Sequence, residues 1–152
     1  MSDLFQSTIE KELSEKGSFA ACAVGESMRP MLRGGCDMVI IAPLSQGIKK
    51  YDVILFKDES NRYVLHRVIK CKDGFYVTRG DNTYFTEKVN PDSVIGILTQ
   101  YNKNGKSYDV NSFTSKLYAK RRVFFYPVRK LYFGIKKRLF ALYRKIFKKR
   151  QK

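Results

Sequence analysis

Val53-Ile54-Leu55-Phe56 opens the stretch of sequence that decides the fold, and Tyr63-Val64-Leu65-His66-Arg67-Val68-Ile69 closes it. Both runs are rich in residues that favour β-strands, and a polar segment separates them. Glycine and turn residues punctuate the surrounding sequence every eight to twelve positions. Three further runs share this character: Met38 to Ile41, Phe75 to Thr78 and Val94 to Thr99. The sequence therefore predicts a mainly β domain over residues 19–111.

Two local signals lie at the ends of this domain. Residues 1–18 are predicted to contain a short amphipathic helix, with Gly17 as its C-cap. The apolar residues of this helix recur at helical spacing: Leu4, Phe5, Ile9 and Leu13. Near the other end, Asn104-Gly105 predicts a two-residue hairpin, because both residue types tolerate positive φ.

Positive charge is concentrated in the last quarter of the chain. Of the 30 Lys and Arg residues, 15 lie in residues 116–152, a segment without Asp or Glu. The other 15 face 14 acidic residues in residues 1–115. The β domain is therefore nearly neutral, and residues 112–152 form a basic C-terminal tail.

The tail is predicted to contain an amphipathic helix that begins at Pro127, because proline is favoured at the first helical position. The face opposite its apolar stripe is nearly all Lys and Arg. Such a helix is typical of segments that lie in a membrane interface, where each cation near anionic lipid adds about 1 kcal/mol. The stripe contains Val128, Leu131, Tyr132, Ile135, Leu139, Leu142, Tyr143 and Ile146, and Phe133, Phe140 and Phe147 widen it.

Residues 127–150 are therefore expected to bind an anionic membrane surface peripherally. The longest uncharged apolar run in the tail, Val123 to Val128, is too short to cross a bilayer, which requires about 20 residues. Two alternatives remain: the stripe packs on the β domain or on a second copy, or the tail binds nucleic acid through basic and aromatic side chains. The aromatic residues gather beside the aliphatic stripe, which favours lipid over nucleic acid.

The cysteines do not indicate a disulfide framework or a metal site. Cys22, Cys36 and Cys71 form no CxxC pair, and their number is odd. We expect them to be reduced and partly buried. Structural zinc normally takes four clustered ligands, whereas this chain has one histidine and scattered cysteines. No metal and no other cofactor is expected.

Ser27, His66 and Asp81 form a candidate catalytic set. A serine hydroxyl is a poor nucleophile until a base takes its proton, and a third group usually orients that base. His66 is the only histidine, and an imidazole pKa of about 6.5 suits proton transfer near neutral pH. Asp81 would orient the ring and stabilise the imidazolium. The alternatives are a hydrogen-bonded structural histidine and an aspartate that caps a turn.

The strings around these residues resemble those of the type I signal peptidases and the related LexA-type self-cleaving repressors. The resemblance extends over residues 20–98, where the strings occur in the order found in that family. The resemblance implies the family's β-ribbon catalytic domain. The strings are Gly25 to Pro30, Arg33 to Ile41, Lys49 to Phe56, Val64 to Val68, Thr78 to Asn82 and Val94 to Gly96.

The base position distinguishes two branches of this family, one with lysine and one with histidine. Leu65-His66-Arg67 resembles the histidine branch, which includes the endoplasmic-reticulum and archaeal enzymes. The similarity of Thr78 to Asn82 to that branch's TKGDN implies Asp81 as the acid. A further acid often follows within a few residues, and Glu87 is the secondary candidate.

The resemblance also implies an oxyanion hole and substrate cleft around Gly25, Met28 and Pro30. Signal peptidases commonly have a serine two residues before the nucleophile, and this chain has Gly25 there, as LexA-type proteins tend to. The oxyanion hole would then consist of backbone N–H groups, chiefly that of Ser27. Met28 would lie beside the substrate.

The resemblance implies a serine endopeptidase that forms an acyl-enzyme and cleaves signal or leader peptides, bound extended with small residues just before the cut. Signal peptidases usually begin with a membrane span, but no span and no signal peptide is visible here. The tail instead predicts attachment to the cytoplasmic leaflet, which is the anionic one, with an exporter as a further partner.

The alternative function is a catalytically degenerate module of the same fold that binds peptides or nucleic acid. In such a module, Ser27 and His66 would lie too far apart to share a proton. A LexA-type regulator would carry a helix-turn-helix of about 60 residues before the serine. Only 26 residues precede Ser27, which disfavours that version.

Overall fold

The computed structural model describes residues 2–148, with the side chains of residues 9–136, 138–140, 143 and 144. In this part of the chain, eight antiparallel strands form one sheet, with helices before and after it. The strands are β1 (Phe19–Cys22), β2 (Met38–Ala42), β3 (Val53–Lys57), β4 (Tyr63–Lys72), β5 (Phe75–Arg79), β6 (Glu87–Val89), β7 (Val94–Lys103) and β8 (Lys106–Asp109). The helices are α1 (Ser2–Lys16), α2 (Phe113–Phe124) and α3 (Tyr126–Lys148), and a 3-10 turn spans Pro91–Ser93.

The sheet has the strand order β1-β2-β7-β3-β4-β5-β6, and β8 pairs with the second half of β7. Strand β3 is central and buried from Val53 to Phe56, because apolar side chains cover both of its faces. On one face, Ile9 and Leu13 of α1 pack with Leu55. The opposite face carries a second cluster: Ile54, Phe56, Val68 and Val89. The prediction of a mainly β domain is confirmed.

The predicted local elements are found close to their expected positions. Each of the five β-rich runs forms a strand, β2, β3, β4, β5 and β7. Helix α1 ends at Lys16, and Gly17 follows it with φ of 69° and donates its N–H to the Leu13 carbonyl. Asn104 and Gly105 both have positive φ in the hairpin between β7 and β8. The side chains of Leu4 and Phe5 lie outside the described ones.

The basic tail contains two helices, where the sequence predicted one. Helix α2 was not predicted; Ser112 caps it by accepting from the Ser115 N–H, and Ala119 is buried against the β domain. Helix α3 begins one residue before Pro127, which confirms the predicted start within one position. No helix within residues 2–148 is long and apolar enough to cross a membrane.

The apolar stripe of α3 is exposed wherever its side chains are described. Leu131 is 66% exposed and Leu139 is 62% exposed, and the neighbouring members of the stripe are similar. The side chains of Leu142, Ile146 and Phe147, which the sequence also assigned to the stripe, lie outside the described ones. The alternative that this stripe packs on the β domain is therefore wrong for Leu131 and Leu139, whereas Phe133 contacts the Tyr84 ring at 5.6 Å between centroids.

Candidate active site

His66 is oriented by a carboxylate. The imidazole lies on β4, is 4% exposed, and donates from Nδ1 to Oε2 of Glu87 at 2.6 Å. Glu87 begins β6, where it is paired with Thr78 of β5, whose hydroxyl also points to Oε2 at 3.4 Å. Phe56 packs edge-on against the ring at 6.3 Å between centroids. A proton fixed on Nδ1 leaves Nε2 free to accept one from a neighbour.

Ser27 lies beside His66 Nε2 because Gly80 has no side chain. A Cβ on Gly80 would be 3.0 Å from His66 Nε2 and 3.0 Å from Ser27 Cβ, so these two atoms are no more than twice that distance apart. The same Cβ would be 2.7 Å from the Ser27 carbonyl oxygen. Glycine at this position therefore allows the serine loop and the imidazole to approach each other. The structure brings Ser27 and His66 close together, and within the described residues no hydrogen bond joins their side chains.

Asp81 lies away from the imidazole, and this differs from the role that the sequence assigned to it. Its carboxylate accepts two hydrogen bonds from the Arg67 guanidinium, both at 2.8 Å, and one from the Tyr118 hydroxyl at 3.0 Å. Successive side chains on a strand point to opposite faces, so Arg67 projects away from His66, and Asp81 accompanies Arg67. In the structure, the acid on His66 is therefore Glu87, the secondary candidate.

The Arg67–Asp81 pair is almost fully buried, with side-chain exposures of 4% and 3%. Burial opposes the charge on Arg67, but the charge and hydrogen bonds of Asp81 outweigh it and keep the pKa of Arg67 raised. Burial and the nearby Asp81 carboxylate also raise the pKa of Tyr118. This cluster is arranged as a structural ion pair rather than as a proton relay to His66.

A cleft of about 500 Å³ unites the remaining site residues. Ser27, His66 and Glu87 line it together with Gly25 and Met28, both of which the sequence placed at the substrate cleft. Pro30 was also placed there, but it is exposed outside the cleft, and its carbonyl accepts a hydrogen bond from Lys103. Asp81 does not line the cleft either.

The wall of the cleft includes the terminal strand of the sheet. Strand β1 pairs only with β2, so its other edge has no strand neighbour within residues 2–148. Phe19, Ala21 and Ala23 contribute side chains to the cleft, and Val24 beyond them is 92% exposed. An unpaired edge beside small side chains can accept an extended peptide as an added strand.

The backbone around Ser27 is shaped by two glycines. Gly25 has φ of 80°, a conformation that favours glycine, and a Cβ on Gly34 would lie 2.4 Å from the Gly25 carbonyl oxygen. Within the described residues, the Ser27 N–H donates no hydrogen bond. That N–H is therefore available to an oxygen in the cleft.

The cysteines are free and exposed, so the expectation of partly buried thiols is wrong. Cys22 lies at the cleft and the other two lie outside it. No group of three or more His, Cys, Asp or Glu side chains in the described part of the chain could hold a metal ion.

Comparison of the chain with protein-family models and with curated proteins finds no match to either.

Proposed function

We propose that the protein is a serine endopeptidase in which Ser27 is the nucleophile, His66 the general base and Glu87 the group that orients His66. The observation that carries this proposal is the hydrogen bond from His66 Nδ1 to Glu87 at 2.6 Å, with His66 Nε2 and Ser27 Cβ each 3.0 Å from the place where a Cβ on Gly80 would lie. This is the order nucleophile, base, orienting acid that activates a serine hydroxyl. Asp81 has a structural role in this proposal.

The reaction proceeds in two acyl-transfer steps. The Ser27 hydroxyl attacks the scissile carbonyl while His66 Nε2 takes its proton, and the resulting imidazolium gives that proton to the leaving amine. The Ser27 N–H stabilises the negative charge on the carbonyl oxygen. In the second step, His66 takes a proton from a water molecule as that water attacks the acyl-enzyme. The imidazolium then returns the proton to the Ser27 oxygen, which releases the acid product and restores the hydroxyl. No cofactor takes part.

The substrate in this proposal is a peptide in extended conformation along the edge of β1. Ala21 and Ala23 leave room for side chains close to Ser27, while Phe19 and Met28 make the cleft apolar. Together with the resemblance to signal peptidases, these features support signal or leader peptides with small residues before the cut as substrates. The signal peptidase or LexA-like architecture is part of the same proposal.

We also propose that residues 127–150 bind an anionic membrane surface. The described part of the α3 stripe exposes both aliphatic and aromatic side chains. Residues 116–152 also contain 15 Lys and Arg residues and no Asp or Glu. Apolar area and complementary charge are the two contributions that hold an amphipathic helix at a lipid surface. The cytoplasmic leaflet is the anionic one, so a leader peptidase beside an exporter fits this placement.

The function is tested by incubating wild type, Ser27→Ala and His66→Ala with a library of leader peptides and anionic vesicles. The proposal expects cleavage by wild type alone and a transient ester on Ser27 by mass spectrometry. Equal cleavage by either variant removes that residue from the mechanism. Peptide binding by wild type without cleavage would instead support the degenerate binding module.

Membrane binding is tested by co-sedimentation with anionic and with zwitterionic vesicles. We expect binding to anionic vesicles that weakens as salt is raised, because salt screens exposed charge. A paired Leu131→Asp, Leu139→Asp variant should lose binding. Retention of the variant on vesicles contradicts the proposal, as does a wild type that forms a dimer or binds nucleic acid but does not bind lipid.

A further inference from the structure

Side chains from the basic tail reach the backbone of the two loops that form the candidate active site. Arg122 of α2 donates from Nε to the Asp81 carbonyl and from Nη2 to the Arg29 carbonyl, both at 3.1 Å. Arg129 of α3 donates to the same Asp81 carbonyl at 2.8 Å. One carbonyl therefore accepts hydrogen bonds from two guanidinium groups on two different helices.

The peptide unit that accepts these bonds is also the one that holds Ser27. The Asp81 carbonyl and the Asn82 N–H belong to the same peptide bond, and the Asn82 N–H donates to the Ser27 carbonyl at 2.6 Å. The Asn82 side-chain amide donates to the Glu26 carbonyl at 3.2 Å. Cationic donors on a carbonyl polarise its peptide unit and strengthen the hydrogen bond from its N–H.

The tail is fixed to the β domain at this point by two further contacts. The Tyr126 hydroxyl donates to the Tyr84 carbonyl at 2.8 Å, and the Arg79 guanidinium stacks on the Tyr126 ring at 3.3 Å from its centroid. Arg122 and Arg129, which together form an arginine clamp on the Asp81 carbonyl, are half-buried, whereas the neighbouring Arg121 and Lys130 are exposed. The start of the tail is therefore docked on the β domain as far as Phe133, whose ring lies 5.6 Å from that of Tyr84 between centroids, and the described side chains beyond it are exposed.

We propose that Arg122 and Arg129 are positioning residues for Ser27: they hold the peptide between Asp81 and Asn82, which in turn holds the serine loop against His66. This inference rests on the proposed peptidase function. It assigns to the tail a role in the reaction that is separate from lipid binding. Misplacement of a nucleophile by about 1 Å lowers turnover about a hundredfold, so a loosened loop should lower kcat more than it raises KM.

The test compares two double variants of the full chain that lose the same charge. Arg122→Gln, Arg129→Gln removes the clamp, and Arg121→Gln, Lys130→Gln is the matched control with an equal effect on binding to anionic vesicles. We expect the clamp variant to lower kcat by about tenfold to a hundredfold with KM changed less than about threefold. The control should keep wild-type kcat. Arg122→Lys, which keeps the charge but lacks the fork that reaches two carbonyls, should fall between them.

Hydrogen exchange of the Asn82 amide gives a readout that does not depend on activity. The clamp variant should lose protection at Asn82 while the central β3 amide of Leu55 stays protected. Unchanged protection at Asn82, an equal loss in the control, or lost protection with wild-type kcat would each overturn the inference. A wild type that cleaves no peptide would overturn the proposed function, and the exchange comparison would still decide whether the arginines hold the loop.

Discussion

His66 and Arg67 are neighbours on β4, and each is paired with a carboxylate, but the two pairs differ in surroundings. The His66–Glu87 pair lies at the cleft, and the Glu87 side chain is 31% exposed. The Arg67–Asp81 pair lies in the interior, where the Tyr118 hydroxyl donates a hydrogen bond to Asp81. In our proposal the first pair exchanges a proton with a substrate, whereas the second neutralises a buried charge. The proposed catalytic pair and the structural pair thus lie on opposite faces of one strand.

The largest expected effect is on the pair at the cleft, His66 and Glu87. His66→Ala removes the proposed base, so kcat should fall about 10⁴-fold or more, with the residual rate supplied by substrate binding and the Ser27 N–H. Steady-state hydrolysis of a cleaved leader peptide measures the change, and circular dichroism checks that the variant is folded. If kcat stays within tenfold of wild type, His66 is not the base.

Gly80→Ala tests the approach of Ser27 to His66 without removing either side chain. The added methyl would lie 2.7 Å from the Ser27 carbonyl oxygen, so the serine loop must shift. We expect kcat to fall about a hundredfold. Gly47→Ala is the matched control, because a Cβ there meets nothing within 4 Å. Equal activity of the two variants would show that Gly80 does not set the spacing.

Asp37 provides a structural carboxylate away from the cleft, as a reference for Asp81. Hydrogen bonds from the Arg33 guanidinium and N–H hold the pKa of Asp37 below its ordinary value. A lowered folded-state pKa means that this stabilisation is present above about pH 4 and is lost as pH falls through the folded pKa. Between pH 5 and pH 2, the free energy of unfolding measured in urea should fall less steeply with pH for Asp37→Asn than for wild type. The difference in slope should be at most about 1.4 kcal/mol per pH unit. An unchanged slope would contradict this role.

The smallest expected effect concerns the buried Arg67–Asp81 pair. Tyr118→Phe removes one hydrogen bond to Asp81 and leaves Arg67 in place, so the free energy of unfolding should fall by about 1 kcal/mol. The kcat should stay within about twofold of wild type. Tyr108→Phe, in a more exposed ring, serves as the control in chemical denaturation. A large loss of kcat in Tyr118→Phe would connect the interior pair to the chemistry.

The strands could be predicted from sequence because their residues carry the signal locally. The runs that form β3 and β4 contain β-branched and aromatic residues, and Asn104-Gly105 favours the positive φ that both of its residues adopt. Strands β1 and β6 have four and three residues, too few for a pattern. Helix α2 was not predicted because it contains many Lys and Arg residues and buries few side chains, so its sequence has no clear apolar periodicity.

The candidate site was predictable in part. Ser27 and His66 were identified from the strings around them, but the choice between Asp81 and Glu87 depends on where the chain goes after β5. Glu87 reaches His66 because β6 returns beside β5 and pairs Glu87 with Thr78. The clamp by Arg122 and Arg129 joins residues 41 and 48 positions away from Asp81, which no local pattern records.

The most direct test of the comparison measures kcat and the free energy of unfolding for Glu87→Gln and Asp81→Asn side by side. Glu87→Gln should lower kcat about 10⁴-fold, because the ring loses its orienting charge, and change stability by less than about 1 kcal/mol. Asp81→Asn should lose about 3 kcal/mol of stability by leaving Arg67 unpaired, with kcat lowered less than tenfold. The reverse pattern, a stable but inactive Asp81→Asn beside an active Glu87→Gln, would contradict the assignment of Glu87 to catalysis.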